Sequence, residues 1–92
     1  MIGKASFCAY AAGTTVGSTP YHRDKLTAAS RILLFGTRLR VTDLKTNKSV
    51  EVTVTDRGPA SRRLILDLSL GAAQQLGIAS RGIIQVRAEI IS

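Results

Sequence analysis

The chain has 92 residues, 45% of them hydrophobic, with thirteen Lys and Arg against six Asp and Glu, a formal net charge of +7. That length makes one domain, residues 1–92, able to bury about 60–65% of its unfolded surface in a single modest core, and the apolar fraction argues against disorder. No apolar run approaches the ~20 residues of a membrane span, no signal peptide is present, and the single cysteine, Cys8, excludes an intrachain disulfide.

The positive balance suits an anionic partner: nucleic acid, anionic lipid or an anionic cell-wall polymer. The basic residues are scattered, and the chain shows no zinc ligands, no recognition-helix pattern and no aromatic RNA-binding signature. Nucleic acid is therefore not expected. Aromatics are few (Phe7, Tyr10, Tyr21 and Phe35, with no Trp), so the core must come from Val, Ile, Leu and Ala. Met1 stands just before the first strand-like run, as in a domain excised from a longer exported protein.

Residues Ile2 to Tyr10 read as a first strand, with Lys4, Ser6 and Cys8 on one face and Ile2, Ala5 and Phe7 making an imperfect other face. Cys8 reads as a small buried or half-buried residue, since nothing brings a base to it. The Gly-, Thr- and Ser-rich stretch Ala11 to Pro20 reads as an irregular loop that continues through the polar Tyr21–Lys25 segment. His22 is the sole histidine, and without a Cys or acidic cluster it makes no metal site.

Leu26 to Ser30 is either a short strand or one turn. Ile32 to Phe35 is an apolar run ended by Gly36. Thr37 to Leu44 alternates, with Leu39 and Val41 on one side and Arg38, Arg40 and Thr42 on the other. Lys45 to Lys48 then makes a hairpin turn into a strand over Ser49 to Thr55, where Val50, Val52 and Val54 share a face.

That strand stops at Asp56-Arg57-Gly58-Pro59. Gly58 admits backbone angles closed to other residues, and Pro59 brings no N–H to a ladder. A carboxylate and a guanidinium are thus held on a stiff turn at a strand end, a common place for binding and catalytic groups. The plainer reading is a simple turn, with Asp56 accepting backbone N–H groups and Arg57 solvated. Leu64 to Leu68 is a further strand carrying Asp67, which is expected to satisfy backbone N–H groups or to pair with Arg57 or Arg62. Ser69 is a fitting N-cap, Ala72, Ala73 and Leu76 have helical spacing, and Gly77 is a fitting stop. The last strand spans Ile83 to Ile91, with Ile84, Val86, Ala88 and Ile90 on one face. Six short strands and one helix suit a small closed barrel with no free edge.

Six pieces in order resemble the rare lipoprotein A family: Gly3-Lys4-Ala5-Ser6-Phe7, Leu26-Thr27-Ala28-Ala29, Phe35 to Thr42, Asp56-Arg57-Gly58-Pro59, Asp67-Leu68-Ser69 and Ala72 to Gly77. The resemblance implies a mainly β fold, a six-stranded double-psi β-barrel with one or two short helices, shared with expansins. It implies action on peptidoglycan glycan strands. Some members are lytic transglycosylases that cleave after N-acetylmuramic acid as its 6-hydroxyl closes a 1,6-anhydro ring. It implies no metal or organic cofactor, a monomer, and export to the periplasm or cell envelope, often as an outer-membrane lipoprotein. The lipid anchor and peptidoglycan-binding domain of full-length members have no counterpart in this sequence.

Carried over residue by residue, the acid of the Asp-Arg-Gly-Pro turn is Asp56. The family's groove His falls at Ser30 and its groove Glu at Thr19; neither substitute can act as an acid or base near neutral pH. Cys8 falls where a Tyr is usual. The expected site is therefore Asp56 as catalytic acid/base, with Arg57, Thr55, Ser30, Thr19, Tyr21 and His22 as substrate-binding residues. Three functions compete: a lytic transglycosylase, a non-catalytic expansin-like binding module using the same groove, and a protein-interaction barrel.

Overall fold

The computed structural model describes residues 1–8, 26–78 and 81–92. These form six strands and one helix: β1 (Ile2–Cys8), β2 (Thr27–Ala29), β3 (Arg38–Asp43), β4 (Ser49–Asp56), β5 (Leu64–Ser69), α1 (Leu70–Leu76) and β6 (Ile84–Ile90). The strands close into a barrel in the order β1-β5-β2-β4-β3-β6. β1 pairs with β5, and β2 with β4, in parallel; the other four pairings are antiparallel.

Period-two patterning builds the interior. Leu39 and Val41 of β3, Val52 and Val54 of β4, Leu66 and Leu68 of β5, and Val86 of β6 are fully enclosed. Each such side chain contributes about 1.5–3 kcal/mol relative to exposure. Helix α1 is capped at its start by the Ser69 hydroxyl, which accepts from Ala72 N, and at its end by Gly77 in the left-handed region, φ 73°. Ala72, Ala73 and Leu76 place its apolar face on the barrel.

Several boundaries differ from those read in the sequence. β4 runs one residue further, so Asp56 is its last member. The closing strand is Ile84–Ile90, and Ile90 is exposed: it lies at the strand end, beyond the reach of the core. Of the strand read over Ile2 to Tyr10, Ile2–Cys8 is described, and Tyr10 lies outside the described residues. Leu26 to Ser30 holds a strand rather than a turn. Ile32 to Phe35 folds as bends, with Ile32 and Leu34 each 77% exposed, because no neighbouring strand covers it.

Candidate active site

Two bulges shape the site. Val54 pairs with Ala28, but Asp56, not Thr55, pairs with Ala29. Thr55 is the extra residue. Strict alternation would place position 56 inward with Val52 and Val54; the extra residue breaks that phase and leaves Asp56 half-buried. β5 carries the matching irregularity: Lys4 pairs with Leu64 while Ala5 pairs with Leu66.

Ala29 of the short strand β2 is paired with Asp56 on one side and Asp67 on the other. The two acids therefore sit on strands two spacings apart, on the order of 10 Å between backbones. Asp67 is half-buried and its Oδ1 accepts the Ser6 hydroxyl at 3.0 Å. Burial pushes its carboxyl above the usual 3.8, the Ser6 hydroxyl pulls the other way, and the Asp56 charge adds to the rise. The expected pairing of Asp67 with Arg57 or Arg62 is not what forms; its partner is Ser6, the neighbour that the parallel β1–β5 register places opposite it.

Arg57 turns away from Asp56. Its Nη1 donates to Ser30 O at 3.1 Å and Leu33 O at 2.6 Å, and its guanidinium lies 4.2 Å from the Phe35 ring centroid. The Asp56 Oδ1 accepts the backbone N–H of Arg57 at 2.8 Å. Gly58 holds φ 140°, in the region that only glycine enters readily, so the turn is set by that residue.

Ser30 is buried, and its hydroxyl accepts the amides of Ile32 at 3.3 Å and Leu33 at 3.1 Å. Its own amide donates to Asp56 O at 3.1 Å. Thus Asp56, Arg57, Thr55 and Ser30 converge on one corner of the barrel. Thr19, Tyr21 and His22 lie outside the described residues. Sequence reasoning missed Phe35 and Ser6 and gave Asp67 a structural role; the signal for Asp67 was an acid at the outward phase of an otherwise apolar strand. Among the described residues no group of three or more His, Cys, Asp or Glu gathers to hold a metal ion, and no helix is long and apolar enough to cross a membrane.

The class defined by this architecture is the double-psi β-barrel. An expansin from Clavibacter michiganensis, solved as a point mutant in complex with cellohexaose, superposes with a TM-score of 0.76 at 26% identity, covering all of this chain and 51% of that one. A Streptomyces papain inhibitor shares the fold, with a TM-score of 0.76 at 21% identity over 96% of this chain and 92% of that one. The lytic transglycolase family pattern matches residues 3–88. The chain belongs to this family, the rare lipoprotein A-like branch of double-psi barrels. The endolytic peptidoglycan transglycosylase RlpA of Campylobacter jejuni is 45% identical over 78 residues, which is 85% of this chain and 28% of that protein. A probable endolytic peptidoglycan transglycosylase RlpA of a Nostoc species is 42% identical over 82 residues, 89% of this chain and 22% of that protein. The chain thus spans roughly a quarter of the length of these relatives.

Proposed function

We propose that this domain is the cutting module of an exported cell-wall enzyme, a peptidoglycan lytic transglycosylase cleaving between N-acetylmuramic acid and N-acetylglucosamine. The observation that carries this reading is the pair of acids flanking Ala29, in a barrel whose relatives are named as transglycosylases. Two carboxyls with unlike surroundings divide acid and base work. Asp56 takes the proton of the muramyl 6-hydroxyl as that oxygen attacks C1. The C1–O bond to the leaving sugar breaks, and the leaving oxygen gains a proton from Asp67, which burial favours in its protonated form. A proton passing from Asp56 to Asp67 through solvent restores the pair. No water enters the product, which closes as a 1,6-anhydro ring.

In this reading Arg57 holds the loop from Ser30 to Phe35 against the Asp56 turn, Thr55 borders the sugar, and buried Ser30 anchors that loop through its hydroxyl. Thr19, Tyr21 and His22 complete the substrate-binding set, and the module acts in the periplasm or cell envelope, carried there by its parent protein's anchor. The expansin solved with cellohexaose favours a second reading, glycan binding without cleavage.

Digestion of purified sacculi, intact and stripped of stem peptides, separates the two. Mass spectrometry is expected to find anhydro-muropeptides with the native chain. With Asp56→Asn the yield should fall about 100- to 10,000-fold while co-sedimentation persists. Co-sedimentation without any anhydro product from the native chain would establish the binding module instead.

A further inference from the structure

A concavity lies on the β1 side of the barrel, apart from Asp56 and Asp67. It encloses about 550 Å³ where β1 meets the beginnings of β5 and β6, and it is lined by Lys4, Arg63, Ser61 and Gln85 over an apolar floor that includes Ile83 and Leu64. No acidic residue lines it. The described acids lie elsewhere: Glu51 pairs with Arg38 and Arg40, Asp43 with Arg81, Glu89 with Arg87, Asp67 accepts from Ser6, and Asp56 stands at the end of β4 and accepts Arg57 N. Lys4 and Arg63 are exposed and enter no ion pair among the described residues.

The loop that carries Arg63 is held in place. Arg31 Nη1 donates to Pro59 O at 2.8 Å and to Ser61 O at 2.9 Å. The Ser61 hydroxyl then accepts Arg63 N at 3.3 Å, and Ser61 O accepts Leu64 N at 3.2 Å. On the neighbouring strand, where Lys4 pairs with Leu64, Lys4 and Ser6 alternate with buried Ala5 and so share the outer face of β1. Ladder neighbours thus link Asp56 through Ala29, Asp67 and Ser6 to Lys4, roughly 16 Å measured along the curved outer surface of the barrel. That is a few sugar units along one strand.

From this placement we infer that the Lys4–Arg63 concavity is a carboxylate subsite, taking the acid group of a muramyl residue some units away from the one being cut. It rests on the glycan-cleaving reading above and adds the recognition of charge to it. An extended glycan lying across the acid pair carries its carboxylates at the spacing of alternate sugars. The apolar floor suits the methyl-bearing lactyl ether or the first alanine of a stem peptide. Two cations on separate elements grip a carboxylate, and Gln85 and Ser61 supply neutral hydrogen bonds.

The test measures dissociation constants by titration calorimetry for three soluble probes: peptide-free muramyl glycan oligomers, the same oligomers with stem peptides, and uncharged chitooligosaccharides of equal length. Native chain and the Lys4→Gln/Arg63→Gln double variant are compared, with circular dichroism confirming that these surface changes leave the fold intact. The double variant is expected to bind the muramyl oligomers roughly 5- to 20-fold more weakly and with a shallower salt dependence, while chitooligosaccharide binding stays unchanged. A loss seen with peptide-free strands assigns the lactyl carboxylate; a loss confined to peptide-bearing strands assigns the stem-peptide carboxylate. Equal affinity of both proteins for every probe overturns the subsite and leaves the cleavage reading standing, provided the native chain binds. A native chain that binds no probe overturns both.

Discussion

The hairpin of β3 and β4 ends in an aspartate at each limit, and the two aspartates have opposite fates. Asp43 closes β3 and is fully enclosed. Its carboxylate accepts from Lys45 N at 2.9 Å, Thr46 Oγ1 at 3.1 Å and the Arg81 guanidinium. Burial raises its pKa, but those three donors together outweigh burial and hold it below 3.8. Asp56 closes β4 half-buried, and the arginine beside it in sequence spends its guanidinium on two carbonyls and a phenyl ring. The same residue type, at the two ends of one hairpin, serves as a lock in one place and borders the candidate groove in the other. What distinguishes them is burial and the course of one side chain each: Arg81 comes onto Asp43, while Arg57 goes to two carbonyls. A cation brought onto a buried carboxylate makes structure; a cation diverted to backbone carbonyls leaves the carboxylate's environment to be set by other groups.

Removing the lock is expected to have the largest effect. Asp43→Ala leaves Arg81 facing an enclosed gap and should cost about 3 kcal/mol or more, lowering Tm by roughly 12–20 °C for a domain of this size; thermal denaturation followed by circular dichroism measures it. The pH dependence has a definite sign. The folded-state pKa of Asp43 is depressed, so its contribution is fully present above the unfolded value of 3.8 and is lost as pH falls through the lower folded value. Native stability should therefore decline steeply below about pH 4, and Asp43→Ala should show less of that decline.

Arg57→Ala comes next. It removes two hydrogen bonds to carbonyls and the contact with Phe35, an expected cost of about 1–2 kcal/mol. Because the change loosens the Ser30–Phe35 loop beside Asp56, anhydro-product formation should fall by more than the lost stability explains. Arg57→Lys should restore only part, since an ammonium can donate to both carbonyls as Nη1 alone does but lacks the planar guanidinium that lies over the Phe35 ring. Equal activity of all three proteins per folded molecule would show that the turn needs no such brace.

The smallest effect on stability belongs to Asp67→Asn, and its direction is the informative part. A carboxyl whose pKa is raised on folding opposes the folded state once ionised. The amide keeps an oxygen for the Ser6 hydroxyl and carries no charge, so Tm at pH 7 should rise slightly, on the order of 2 °C. The gain should shrink as pH falls through the raised folded value and vanish below the unfolded 3.8. Activity on sacculi should drop at the same time. A variant that is more stable and less active would mark Asp67 as a residue retained for chemistry.

Much of the architecture could be read from the chain because strand and helix patterning is local. The alternation of Val50, Val52 and Val54, the Ser69 cap and the Gly77 stop each depend on residues within one or two turns. The candidate site was legible only in part, because its geometry depends on register. Asp56 announces itself by the turn that follows it. Asp67 acquires its meaning from Ala29, 38 positions earlier, which sits between the two acids only after β2 has slipped into the sheet with a bulge at Thr55. Likewise Arg57 reads in the sequence as solvated or as a partner for Asp67, whereas its side chain reaches back 27 residues to Ser30. Nothing local to position 57 distinguishes those alternatives.

The closure of the barrel has a mechanical consequence. The Met1 ammonium donates to Ala88 O at 2.8 Å, Ala88 N donates to Met1 O at 2.7 Å, and Arg38 N donates to Ser92 O at 3.0 Å. The two chain ends are thus stitched into adjacent parts of one hoop, and chain on either side would leave from neighbouring points. A pull applied through both ends would load the ladder between β1 and β6 one rung at a time, as a zipper is opened, rather than shearing all its rungs together. Swinging from that single point of suspension, the barrel could turn its acid-bearing face toward a wall strand without bending its own frame.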